Sequence, residues 1–259
     1  MQYTLLDLQY TLLDLPGEIL KEILKELSVK ELIKFEIVNT IFKEFIRVNN
    51  WDHLIVTLEN LDNIRHVIKT YKFKKYNFSY SDIGDADVCL LKDCDYLILA
   101  HCTRITDKSV KLLGNCHKLS LSGCQITDAS VALLGNVHTL YLSECTQITD
   151  ASVSLLGNCH ALYLSECIQI TDASVVLLAK CHTLHLSCCF KITDNSVKML
   201  TKCHNLNLAH CRVTNKSVEL LKCQTVNLNN CFGITHHSVK ILRDAHCNVY
   251  YNGYYPIYR

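Results

Sequence analysis

LYLSECTQITDASVSLLGNCH, from Leu140 to His160, is the clearest copy of a unit that recurs about every 22 residues. Copies opening on Leu-x-Leu begin at Leu97, Leu119, Leu140, Leu162, Leu184 and Leu206, and Val226 opens another in the same place. A degenerate copy starts near Tyr76 and a truncated one at Val249. In Leu140-Tyr141-Leu142 apolar and outward residues alternate, which predicts a short strand with one buried face. Ser143 to Gln147 turn the chain. Val153 and Leu156, three apart, then predict a helix across Ala151 to Leu156, whose free amides Thr149 or Asp150 can cap. Gly157-Asn158 would end that helix in a left-handed conformation.

Neither half of such a unit can bury its apolar face alone. Stacked units share one core, which predicts an α/β solenoid with a parallel sheet on one face and helices on the other. Leu54-Ile55-Val56 with Leu61 to Tyr71 reads as an irregular first unit or connector over residues 53–75, and the repeats with a C-terminal cap occupy 76–259. The aromatic tail from Tyr250 to Tyr258 is expected to close the far end.

Composition narrows the class. The chain has 259 residues, 49% of them hydrophobic, and a formal net charge of +1. It is long enough for a large core, and near-neutrality speaks against a nucleic-acid partner. Lys72 to Lys75 reads as a solvated connector. There is no apolar run of membrane-spanning length and no basic-apolar leader at the N-terminus, so no membrane partner is expected and the cytoplasm or nucleus is the expected location.

Sixteen cysteines and thirteen histidines invite a metal or thiol reading. The repeat absorbs most of them. Cys102, Cys124, Cys145, Cys167, Cys189, Cys211 and Cys231 fill one slot after the strand, and Cys94, Cys116, Cys159, Cys181, Cys203 and Cys223 a second after the helix. Val137 occupies that second slot once, so the slot selects a small apolar group and not a metal ligand. His117, His138, His160, His182 and His204 follow it, and Cys-His dipeptides chelate one ion poorly. Reduced thiols in an intracellular chain are expected to donate weakly to nearby carbonyls. No cofactor, metal or catalytic residue is expected, because no catalytic motif is present and Asp128, Asp150 and Asp172 recur at the repeat period as candidate helix caps.

The N-terminal segment LPGEILKEILKELSVKELIKFEIVNTIFKEFIRVNNW runs from Leu15 to Trp51. Pro16 suits a first helical turn. Ile19, Leu20, Ile23, Leu24 and Leu27 form an apolar stripe opposed by Lys21, Glu22, Lys25 and Glu26. Further amphipathic runs cover Glu31 to Val38 and Ile41 to Val48. Three such helices would form only a marginal core alone, and their plain reading is a helical cap for the solenoid. Upstream, YTLLDL occurs twice, at Tyr3 and Tyr10, and only the second copy continues into Pro16; residues 1–14 read as an extension.

The repeats resemble the cysteine-containing class of leucine-rich repeats, with Leu-x-Leu-x-x-Cys, then Ile-Thr-Asp, then a helix ending in Cys. The class implies a horseshoe with its sheet on the concave face. Residues 15–52 resemble an F-box through Leu15-Pro16, Glu18-Ile19-Leu20, Ile23-Leu24, Leu27, Leu32, Val38, Phe42 and Trp51, departing from it at Asn39-Thr40. Together they resemble the F-box/leucine-rich-repeat family. That resemblance implies a non-catalytic subunit of a Skp-cullin-F-box type ubiquitin ligase. Its adaptor-binding residues would be Leu15, Pro16, Ile19, Leu20, Ile23, Leu24, Leu27, Leu32, Val38, Phe42 and Trp51. The repeats would hold an unidentified protein substrate on the outward strand positions Ser120, Tyr141, Tyr163, His185, Asn207, Asn227 and Tyr250, which with Ile98 make an eight-strand stripe of roughly 34 Å at strand spacing. The alternative is an interaction scaffold without any ligase.

Overall fold

A computed structural model describes residues 12, 15–36, 40–57 and 64–253. Val38, Leu61, the first YTLLDL copy and residues 254–259 of the aromatic tail lie outside the described residues. Contacts divide the chain into two compact units, 1–77 and 78–259.

In the first unit, α1 spans Gly17–Leu24, α2 Val29–Phe35 and α3 Thr40–Val48. Ser28 opens α2 with a capping box: its hydroxyl accepts from the Glu31 amide, and the Glu31 carboxylate accepts from the Ser28 amide. Leu20, Leu24, Leu32, Phe42, Ile46 and Trp51 fill the core. Trp51 Nε1 donates to the Ile46 carbonyl at 2.8 Å, which satisfies its one polar atom inside an apolar site. The stretch 53–75 supplies β1 (Val56–Thr57), which pairs in parallel with β2 (Lys75–Asn77), and α4 (Ile64–Thr70). Tyr71 donates to the Glu36 carboxylate, which also pairs with Arg47, so the segment is fastened to the helices.

The second unit is the solenoid. Its strands are β3 Tyr96–Ile98, β4 Lys118–Ser120, β5 Thr139–Tyr141, β6 Ala161–Tyr163, β7 Thr183–His185, β8 Asn205–Asn207, β9 Thr225–Asn227 and β10 Asn248–Tyr250. They pair in parallel in chain order, and the register lines up Leu97, Leu119, Leu140, Leu162, Leu184, Leu206, Val226 and Val249. The helices are single turns: α5 Asp85–Val88, α6 Asp107–Val110, α7 Asp128–Val131, α8 Asp150–Val153, α9 Asp172–Val175, α10 Asp194–Val197 and α11 Asn215–Val218. Among the described residues of this unit only α12, His236–Asp244, is longer.

Two local expectations are corrected. The helix in the Leu140 unit stops at Val153, and Gly157 is not left-handed. A Cβ on Gly157 would lie 2.7 Å from the Leu177 carbonyl oxygen, so glycine serves close approach of the next unit. The left-handed residues instead leave the strand, at Tyr80, His101, Gly123, Glu144, Glu166, Cys188, His210 and Asn230. That turn directs the following cysteine inward.

The aspartates are the second correction. Thr149 caps α8, its hydroxyl accepting from the Ala151 amide at 3.2 Å. Asp150 reaches into the next unit. It accepts from the Thr171 amide at 2.8 Å, the Thr171 hydroxyl at 2.6 Å and the buried Ser174 hydroxyl at 2.5 Å. Asp85, Asp107, Asp128, Asp172 and Asp194 make the same three contacts to their following units. Burial alone would raise the Asp150 carboxyl, but the bonds from Ser174 and Thr171 outweigh it and hold the group below its ordinary range. Asn215 replaces the aspartate in α11, and its side chain bonds Thr235 and not Ser238, whose hydroxyl turns to Glu219.

The first cysteine row behaves as small apolar donors do. Cys145 Sγ donates to the Leu121 carbonyl at 3.2 Å and Cys167 to Leu142 at 3.1 Å, and the same bond recurs along the row. Burial pushes the Cys145 thiol up to about 12, so it stays protonated and unreactive.

His117, His138, His160, His182 and His204 stack face to face, with centroids 4.5, 4.6, 4.6 and 4.2 Å apart. Desolvation, then the charge of neighbouring imidazoles, lowers His138 and His182 from 6.5. The unfolded chain therefore takes up protons first. The contribution of these two imidazoles is fully present above pH 6.5 and is lost as pH falls through their lowered folded values. A thermal melt is expected to drop between pH 7.5 and 5.5, and His160→Gln, the residue type that Gln224 brings to this position, is expected to flatten that drop.

Candidate protein-interaction surfaces

Two surfaces carry the apolar and aromatic residues singled out by the sequence. On the first unit, Leu20, Leu24, Leu32, Phe42 and Trp51 are buried in its own core. Their place in the fold is to hold the helices in position. Pro16, Ile19 and Ile23 are exposed, Leu15 and Leu27 half-buried. Ile19 is 49% and Ile23 43% exposed on α1, and α3 adds Ile41 at 57% and Val48 at 61%. Ile41 and Val48 escaped the sequence reading because α3 has apolar residues on both sides of its buried line, and spacing alone does not say which are covered.

The second surface is the outward face of the sheet. Tyr141 and Tyr163 stack at 4.1 Å with a 10° interplanar angle, and His185 continues the pile at 4.5 Å from Tyr163. Lys118 Nζ lies 4.9 Å from the Tyr96 ring centroid and 5.3 Å from that of Tyr141. Burial and then the bond to Tyr141 raise the Tyr163 hydroxyl, and desolvation lowers His185, so both are neutral near pH 7. The ring faces are occupied by one another, which leaves edges and hydroxyls for a partner.

The remaining outward positions differ. Ser120 is only 8% exposed, so it forms a floor and does not protrude as a contact. The side chains of Asn207 and Asn227 accept from the amides of Ala209 and Asn229 and brace their own turns. Tyr250 is exposed on the last strand. Among the described residues no three His, Cys, Asp or Glu side chains are grouped to hold a metal, and no helix is long and apolar enough to cross a membrane.

Comparison with known proteins is consistent with this geometry. The family model of the F-box domain matches residues 12–53, and that of a leucine-rich repeat matches residues 117–135. No curated protein sequence matches the chain. Among solved structures, the yeast Rad7 and Elc1 complex aligns at TM-score 0.54 and 16% identity, over 76% of this chain and 55% of that one. The TLR13–ssRNA13 complex aligns at TM-score 0.56 and 16% identity, over 82% of this chain and 34% of that one. The chain thus spans about half and a third of the lengths of those two. At such identities the likeness concerns the fold.

Proposed function

With an F-box domain followed by leucine-rich repeats, the chain has the make-up of the F-box/leucine-rich-repeat family, and from that premise we propose that it is the substrate-receptor subunit of a Skp-cullin-F-box type ubiquitin ligase. The observation that carries this reading is the exposed apolar set Ile19, Ile23, Ile41 and Val48 on helices whose core is already filled. Exposed side chains of this size on two helices of one small unit are what a docking partner would cover. The aromatic face of the repeats is the proposed target surface. The contribution to rate is proximity, because a target held beside a charged conjugating enzyme reacts at a raised effective concentration. No acid-base group is needed for that role, and the receptor is non-catalytic.

Reconstitution tests the proposal. The chain, a Skp adaptor, a cullin-RING module and the ubiquitin-activating and conjugating enzymes are combined, with each component omitted in turn. Ubiquitin is expected on this chain only when the adaptor is present. Transfer that ignores the adaptor, or none with all components, would favour the scaffold alternative. Once a target is known, Tyr141→Ala with Tyr163→Ala is expected to weaken it by about ten-fold or more, since buried tyrosines dominate such contacts.

A further inference from the structure

The helix side of the solenoid carries a feature that neither surface above uses. Two residues past the end of each single-turn helix stands an exposed apolar residue, including Leu112, Leu133, Leu155, Leu177, Met199 and Leu220, the last four between 53% and 56% exposed. The neighbour immediately before it changes freely, from Lys111 to Ala132, Ser154, Val176, Lys198 and Glu219. Apolar character is thus retained at an exposed site while the adjacent site drifts. The residues form one ridge. Neighbouring units pack closely there, since a Cβ on Gly157 would meet the Leu177 carbonyl oxygen at 2.7 Å.

Charge says what the ridge accepts. Around Leu133 and Leu155 the flanking residues are Ala, Ser, Gly and Asn, whereas Lys180, Lys198, Lys202 and Lys222 border its C-terminal half, where the one adjacent acid, Glu219, accepts from the Ser238 hydroxyl. None of these lysines makes an ion pair among the described residues. A second copy laid along the ridge in the opposite sense would bring Lys108 and Lys111 against that lysine-rich end, and like charge disfavours it. A helix presents one apolar side chain per turn, about 5.4 Å apart, a spacing suited to units in backbone contact.

We propose that this ridge docks an acidic amphipathic helix of a partner protein, leucine stripe to leucine stripe, with carboxylates on the bordering lysines. Its residues are distinct from those proposed for the adaptor and from those of the strand face.

The test uses the full chain and three probes: a synthetic peptide with leucines at helical spacing flanked by glutamates, the same stripe flanked by lysines, and phosphatidylserine vesicles. Saturable binding of the acidic peptide alone is expected. Leu133→Ser, Leu155→Ser and Leu177→Ser together are expected to weaken it by about ten-fold or more. Lys198→Glu with Lys202→Glu, which leaves the leucines intact, is expected to weaken the acidic peptide and admit the basic one. Equal binding of both peptides, binding of neither, preference for vesicles, or unchanged affinity in a lysine variant that melts like the parent chain would overturn the proposal. Self-association by sedimentation that the leucine variant abolishes would overturn it as well.

Discussion

Replacing Asp150 by alanine is expected to lower the unfolding free energy by about 2 to 4 kcal/mol, the scale for stranding buried polar groups that had charged partners. The substitution removes the acceptor for the Thr171 amide, the Thr171 hydroxyl and the fully buried Ser174 hydroxyl at once. Those three bonds join one unit to the next. In an array where each unit contacts only its neighbours, a weakened junction splits the cooperative transition, so a second step in urea is expected as well as the shift. Asp150→Asn should cost less. Asn215 shows why, since its amide still serves Thr235 and only the serine must find another partner. Equal losses for Ala and Asn, or no loss for either, would show that the clamps are ornamental. The clamp also sets a lower acid limit. A depressed carboxylate stabilises the fold above its unfolded value and fails as pH drops through its folded one, so Asp107, Asp128 and Asp150 predict a steep loss below pH 3.8, after the histidine step.

Replacing Ile23 by glutamate is expected to weaken adaptor binding by about a hundred-fold while leaving the melt of the chain within a degree or two, because the side chain is already 43% exposed. Leu24→Glu is the instructive opposite. Its side chain is 1% exposed, so the charge would be buried without a partner and the first unit would unfold. A matching loss of binding in both variants, but a loss of fold in only one, separates the docking face from its support. Ile41→Glu on α3 extends the test to a residue that the sequence pattern did not single out.

Much of the architecture was readable from spacing. Leu-x-Leu became strands in full register, and the cysteine after each strand became a buried donor to a carbonyl of the preceding unit. What escaped depends on partners one unit away. Asp150 looks like a cap because it follows Thr149 at a helix start, and nothing local reveals Thr171 and Ser174 across the junction. Gly157 looks like a helix terminator for the same reason, although the close carbonyl belongs to Leu177. Leu155 and Leu156 are adjacent and identical in sequence, yet the first is exposed and the second buried, as the spacing of Leu156 from Val153 implied for the second alone. In the first unit the apolar spacing located three helices, but it could not divide Leu20 and Leu24 in the core from Ile19 and Ile23 on the surface. Ser120 fell among the outward positions by alternation alone, and its small side chain sits below its larger neighbours.

The proposed role of the first unit is to dock a Skp-type adaptor. Calorimetric titration of purified adaptor into the full chain tests it most directly. A saturable one-to-one complex, with Kd of about 1 μM or tighter and lost in Ile23→Glu, is the expected result. No heat and no co-elution with the intact, folded chain would contradict it.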